Sequence, residues 1–194
     1  MSVPTRTEAV AILRSLRPNP KLLRHSTAVA EVAAFLADAM VRRGVEIDPT
    51  MVETAALLHD VDKMLADDDP LKALGHAAAG AEWLRQRGYP ELAAAVAAHP
   101  VMEIGNATTY AAWTSGAGLA GRIVTYADKR ARQGLITLDD RFAKWHARYP
   151  ASPPLDVAHE RALRLEREMC ELAGVTPEEV RPEPWVDEAI DAAA

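Results

Sequence analysis

Six side chains of this chain could share one piece of chemistry: His25, His59, Asp60, His76, His99 and Asp128. Imidazole nitrogen and carboxylate oxygen both ligate divalent transition metals, and a mixed set suits iron or manganese. His59 and Asp60 are adjacent at the end of the apolar run Ala55-Ala56-Leu57-Leu58, so a nitrogen and an oxygen reach the same point. Charge buried there is costly unless it is paired or bound to a metal. His25 shares an apolar helix face with Leu22, Val29, Val32 and Leu36 and points at the core. Alone, such a histidine is more often a packing residue than a ligand. Asp128 follows Ile123-Val124-Thr125-Tyr126-Ala127, with Lys129 and Arg130 directly after it. Alone, it reads rather as a surface aspartate in a local ion pair.

His76 opens one helical stretch and His99 closes the next, with the turn Gly88-Tyr89-Pro90 between them. The outward leg is ~16 Å and the return leg ~12 Å at the usual helical rise, so both imidazoles can reach the same end of a hairpin. Two exposed helix-end histidines would satisfy the same spacing. His146 and His159 lack any such context and read as surface residues.

The elements that must carry these residues are helices. Thr5-Arg6-Thr7-Glu8 has the form of a capping box opening a short helix that ends before Pro18. Asn19-Pro20 starts a long helix that runs to Gly44, and Asp48-Pro49 starts another, carrying residues 51–63. Asp67-Asp68-Asp69-Pro70 is a loop. Helices follow over about 76–87, from Tyr89-Pro90 to His99-Pro100, and over about 119–132. Residues 100–117, rich in Gly, Thr, Ser and Asn, read as a long loop and a candidate lid. Thr137 caps a helix ending at Tyr149-Pro150, a long amphipathic helix reaches Gly174, and Thr176-Pro177-Glu178-Glu179 starts a short last one. No stretch shows sustained alternation of strand type. The expected fold is all-α, an irregular helical bundle, with residues 1–194 as a single domain: a core over about 20–132, and helices over 135–190 packing on it.

Composition narrows the function further. The chain of 194 residues is 49% hydrophobic, 26% charged and only 5% aromatic, with net charge −6. Such a surface has no general attraction for nucleic acid or an anionic membrane. An anionic substrate would need local positive charge from metal ions or a few placed Lys and Arg. Cys170 is the one cysteine and sits in a charged helical stretch without an activating partner, so it reads as structural. Neither a signal peptide nor a membrane span stands out, and a cytoplasmic location is expected.

Taken in order, His…His-Asp…His…His…Asp resembles the HD superfamily of metal-dependent phosphohydrolases over about residues 20–132. The variant with two histidines between the His-Asp pair and the last Asp is similar to the dinuclear branch, which includes bacterial diadenosine tetraphosphate hydrolases. The resemblance implies one metal held by His25, His59, Asp60 and Asp128, and a second held by His76 and His99 with Asp60 bridging. Two positions depart from the family pattern: Asp62 stands where Gly is frequent, and Pro100 follows His99 where Thr or His is common. Gly88-Tyr89-Pro90 matches the signature tripeptide of the cyclic-dinucleotide branch, but the paired histidines before it are absent, so it reads as a turn.

The chemistry implied is hydrolysis of a phosphate ester or anhydride, with a nucleotide as the foremost substrate class, through a metal-activated water. Asp60 would orient or bridge two divalent ions, iron or manganese foremost. Lys63, on the same helix face as His59, would reach a phosphate oxygen, with Lys129 and Arg130 as further substrate-binding candidates. Two readings of another class remain: a metal-binding signalling or nucleotide-binding module that keeps the fold without catalysis, and a helical interaction domain in which these residues are incidental. Metal content separates the last from the others.

Overall fold

A proline or a side-chain acceptor starts most of the helices, and the polypeptide follows that punctuation closely. The structure, a computed structural model, describes residues 3–192. Among the described residues eleven α-helices succeed one another: α1 Arg6–Ser15, α2 Pro20–Arg42, α3 Pro49–Leu57, α4 Ala78–Gln86, α5 Pro90–Ala97, α6 Val101–Gly105, α7 Ala107–Gly116, α8 Gly118–Arg130, α9 Leu138–Arg148, α10 Pro153–Ala173 and α11 Val186–Ala192. Two 3-10 turns, Val61–Met64 and Pro70–Leu74, lie between α3 and α4. Thr5 and Glu8 form the reciprocal capping box of α1, Asn19 accepts from the Lys21 and Leu22 amides, and Asp48 accepts from Met51. No strand forms among the described residues; Ala131 and Leu135 make an isolated bridge. The fold class is all-α.

Helix α2 is the axis of the bundle. Val29, Val32, Ala33, Leu36, Ala37 and Met40 are buried along it, and α3, α8 and α10 pack against it. The alanine content has a purpose here: short side chains let helix axes approach closely. Gly105 takes this further, since a β-carbon there would lie 2.6 Å from the Pro154 carbonyl oxygen where α6 crosses α10. One hydrophobic cluster extends from Ala9 in α1 to Ala189 in α11.

The structure corrects four expectations. Residues 51–63 are not one helix: α3 stops at Leu57, and His59 and Asp60 lie in the turn before the first 3-10 segment. The cause is local. His59 donates Nδ1–H to the Ala56 carbonyl at 2.7 Å, the acceptor that the Asp60 amide would use in a continuing helix. Residues 100–117 are helical, as α6 and α7, rather than a loop or lid. Asn106 caps α7 through the Thr108 amide, and Trp113 Nε1 is fastened to the Ala98 carbonyl at 2.9 Å. The helix after His76 begins at Ala78, because Ala77 has φ 63° and closes a tight turn from the His76 carbonyl to the Ala78 amide. Thr176–Glu179 is only a turn. The last helix is α11, which follows Pro184 and Trp185.

Candidate metal centre

His25 comes from α2, His59 and Asp60 from the end of α3, His76 from the start of α4, His99 from the end of α5, and Asp128 from the last turn of α8. These six residues, spread over more than a hundred positions, meet in one cluster. His59 Nε2 is 3.2 Å from His25 Nε2, and Asp128 Oδ1 is 3.2 Å from His25 Nε2. Asp60 Oδ2 lies 3.5 Å from His25 Nε2 and 3.4 Å from His59 Nε2. On the other side His99 Nε2 is 3.1 Å from His76 Nε2. Asp60 Oδ1 stands 3.6 Å from the former and 3.8 Å from the latter. The two oxygens of one carboxylate therefore face two different histidine pairs.

Each ring is oriented through its far nitrogen. Nδ1 donates to the Arg132 carbonyl in His25 (2.8 Å), to the Ala56 carbonyl in His59 (2.7 Å), to the Val96 carbonyl in His99 (2.7 Å) and to Asp62 Oδ2 in His76 (2.9 Å). The acceptors hold no proton of their own, so each neutral ring carries its proton on Nδ1 and its lone pair on Nε2. In both pairs two lone pairs then point at one another across little more than 3 Å, an arrangement that calls for a cation between them. Asp60 Oδ1 is buried with no hydrogen-bond partner, which satisfied interiors avoid. Donor atoms bound to one ion at ~2.1 Å stand about 3.0–3.4 Å apart, close to the spacings found here. The residues fit divalent metal ions on every one of these counts.

Electrostatics prepare the same groups as ligands. Burial favours the neutral form of Asp60, but His59, His99 and Lys63 outweigh it and hold the carboxyl well below the usual range. Burial of Asp128 is likewise outweighed, by Lys129, His25, His59 and Arg141. Burial pushes His99 down to about 4, assisted by the nearby His59, so its ring is neutral near pH 7. Burial works in the same sense on His59, yet Asp60 and Asp128 prevail and raise it.

The other candidates divide. Lys63 Nζ reaches Asp60 Oδ2 at 2.7 Å, and its side chain is half-exposed beside the cluster. Lys129 and Arg130, expected at the substrate, are buried and engaged inside the protein. Lys129 Nζ bonds Asp128 Oδ2 at 2.9 Å and, at short range, the His99 carbonyl, so it braces two members of the cluster. Arg130 turns away to Glu166 and Tyr126, at 2.7 Å each, and to the Ile136 and Pro177 carbonyls. His146 and His159 lie outside the cluster, beside Asp156 and Asp139.

Sequence reasoning missed two residues. Asp62, read only as a departure, orients His76; its one visible signal was a second carboxylate two positions after Asp60. Gly80 leaves it room, since a β-carbon there would come within 3.3 Å of Asp62 Oδ1. Arg141 of α9 approaches Asp128 Oδ1 at 3.4 Å, and nothing in its sequence neighbourhood marks it.

The profile of the HD domain family matches residues 22–133, more than half of the chain and the span that carries the whole cluster. The chain belongs to the HD domain family. A curated relative, an uncharacterized protein of Methanocaldococcus jannaschii, is 33% identical over 90 residues, 46% of this chain. The matched stretch is 50% of that relative, so the chain spans about half of its length. No solved structure matches the chain. The matched span ends just beyond Arg132, whose carbonyl orients His25; α9, which brings Arg141 to the cluster, lies outside that span. Among the described residues no helix is long and apolar enough to cross a membrane.

Proposed function

We propose that this protein is a dinuclear metal-dependent phosphohydrolase that cleaves a phosphate ester or anhydride, with a nucleotide as substrate. The observation that carries the reading is the division of Asp60: Oδ2 faces His25 and His59, and Oδ1 faces His76 and His99. One ion would be held by His25, His59, Asp60 and Asp128, and the other by His76, His99 and Asp60. Mixed nitrogen and oxygen donors favour iron or manganese.

Divalent ions bound there would lower the pKa of a coordinated water and offset charge on the phosphoryl oxygens. The residues of the chain then have separable tasks. Lys63, free to swing because its side chain is half-exposed, turns from Asp60 to a phosphate oxygen and supplies positive charge that an acidic protein otherwise lacks. Lys129 fixes Asp128 and His99 relative to one another through its two bonds. Asp62 holds the His76 ring with Nε2 toward the cluster. The buried surroundings keep bulk water from screening these charges.

The reading is tested by metal stoichiometry alongside a hydrolysis screen of nucleotides and generic phosphate esters. Protein reconstituted with iron or manganese should hold up to two ions per chain. His99→Ala should lose one ion and keep the other, at matched helical content by circular dichroism. No bound metal after reconstitution would sink the reading, and equal loss of both ions in His99→Ala would mean that the two positions are not separable. Lys63→Ala should raise KM with metal content unchanged; if the metals go instead, Lys63 is a structural partner of Asp60.

A further inference from the structure

Two cavities open onto the cluster, and their chemistries differ. One, of 490 Å³, reaches His76, His99 and Asp128 and is otherwise walled mainly by Pro100, Val101, Met102, Trp145, Tyr149 and Leu155. The other, of 720 Å³, reaches His25 and Asp60 and carries Lys21, Lys63, Arg132, Arg141, Lys144 and Arg148, with Asp60 as its one carboxylate. Lys63, Arg141 and Trp145 line both. Helix α9 supplies the partition, since Arg141 and Trp145 are one turn apart on the same face, with the guanidinium 4.6 Å from the indole centroid. Arg141 also has a buried Nε without a hydrogen-bond partner, while its Nη2 makes only a long contact to Asp128. An arginine seated where two cavities meet the cluster, with donor capacity unspent, suits a phosphate.

We propose that α9 makes the site two-armed: Arg141 holds the reacting phosphate beside the cluster, the Trp145–Tyr149 chamber takes an aromatic group of the substrate, and the basic groove takes further phosphate. The substrate is then a phosphoanhydride bearing an aromatic group, rather than a phosphomonoester. This rests on the phosphohydrolase reading above and assigns what that reading leaves open. In the reaction the water oxygen forms a new bond to phosphorus and the bridging P–O bond breaks. The bridging oxygen leaves with the bonding pair on one product, and the water's proton passes to it or to solvent. A monoester would fill one arm and leave the other without a counterpart. Each arm exceeds the volume of a phosphate group, and the apolar arm falls within the ordinary range of small-molecule pockets.

The test crosses the two features on the manganese-loaded full-length protein. Adenosine triphosphate has both, adenosine monophosphate only the aromatic group, inorganic tripolyphosphate only the extra charge, and ribose 5-phosphate neither. The first should exceed each of the others in kcat/KM by about tenfold or more. Trp145→Ala should erase the advantage of adenosine triphosphate over tripolyphosphate through KM, and Trp145→Phe should restore most of it. The double variant Lys144→Ala/Arg148→Ala should erase the advantage over the monophosphate. Arg141→Met should weaken binding of α,β-methylene adenosine triphosphate, followed by calorimetry, by roughly 10- to 100-fold with metal stoichiometry unchanged. Hydrolysis without preference among the four, unaltered by Trp145→Ala, overturns the two-armed site and leaves the phosphohydrolase reading intact. Absence of hydrolysis, with binding of the methylene analogue still dependent on Arg141, Trp145 and the two basic residues, does the reverse.

Discussion

His25 and His59 donate Nδ1–H to main-chain carbonyls, those of Arg132 and Ala56, whereas His76 donates its own to the side chain of Asp62. The first pair is mostly buried and closed by two carboxylates, Asp60 and Asp128. In the second pair His99 is as enclosed as His59, but His76 has 42% of its side chain exposed and follows a 3-10 turn rather than a helix. The first half of the centre is therefore fixed by backbone that the bundle itself immobilises. The second depends on a carboxylate and a tight turn, both of which a single substitution can change. Rigid ligand geometry goes with affinity, and mobile geometry with exchange. On the dinuclear reading proposed above, the difference would give the two positions unequal roles: a retained ion at His25 and His59, and an exchangeable one at the half-exposed His76.

The largest effect should come from the residue that the two halves share. Asp60→Ala removes a ligand oxygen from each, so both ions should be lost and hydrolysis should fall to background. Elemental analysis checks this. Retention of one full ion would show that one half closes without Asp60.

Asp62→Asn separates the halves more gently. An amide still accepts from His76 Nδ1 but no longer as a charged partner. Loss of such an orienting carboxylate ordinarily costs about 10- to 100-fold in metal affinity. The effect should fall on the second ion alone, measured by competition with a calibrated chelator. An equal loss at both ions would tie Asp62 to the whole cluster through Asp60.

Acid should distinguish the halves as well. Asp60 and Asp128 hold the pKa of His59 above its ordinary value, so His59 binds a proton more readily than a free imidazole does. Burial holds His99 down to about 4, so that ring stays neutral through the same range. A metal must displace the proton on His59. The apparent affinity of the first position should therefore decline, by up to about tenfold per unit, as pH falls through the raised value of His59. The sign follows from the raised value: the proton competes below it and is gone above it. A flat profile at the first position with a steep one at the second would reverse the assignment.

Much of this was legible in the sequence, for identifiable reasons. Thr5, Asn19, Asp48 and Thr137 announced helix starts because capping is a local bond between neighbours. The six cluster residues were legible because His59, Asp60 and Asp128 follow apolar runs, His25 shares an apolar helix face, His76 and His99 stand at helix ends, and their order is a family pattern. What was not legible is decided by contacts distant in sequence or by competition for one acceptor. His59 takes the Ala56 carbonyl from the helix, and no propensity encodes that. Residues 100–117 looked like a loop by composition, yet Gly105 is required by its approach to α10 and Asn106 is a cap rather than a coil residue. Arg141 meets Asp128 only because α9 folds back over the cluster. The inward turn of Lys129 and Arg130 is likewise set by partners elsewhere, His99 for the one and Glu166 for the other.

The smallest effect concerns Ala77, which follows His76 and fixes where that ring points. Its φ of 63° and ψ of −41° belong to the rare positive-φ form of the γ-turn, closed by the Ala78 amide on the His76 carbonyl at 2.8 Å. Such a conformation costs a residue with a β-carbon about 1–3 kcal/mol. Ala77→Gly removes that strain. It also frees the unfolded chain, a loss of about 0.4–1 kcal/mol, and deletes a buried methyl, a further ~0.8 kcal/mol. The sum runs from about 0.8 kcal/mol of loss to about 1.8 kcal/mol of gain in global stability. Ala81→Gly, equally buried but inside α4, has no strain to relieve and should cost about 1.5 kcal/mol. The second ion should nevertheless bind a few-fold more weakly in Ala77→Gly, because a glycine at that position lets the His76 backbone leave the geometry that aims Nε2 at His99. Thermal unfolding and chelator competition on the two variants make the comparison. Equal destabilisation of both would mean that the turn is not strained, and an unchanged second ion in Ala77→Gly would mean that Asp62 alone aims the ring.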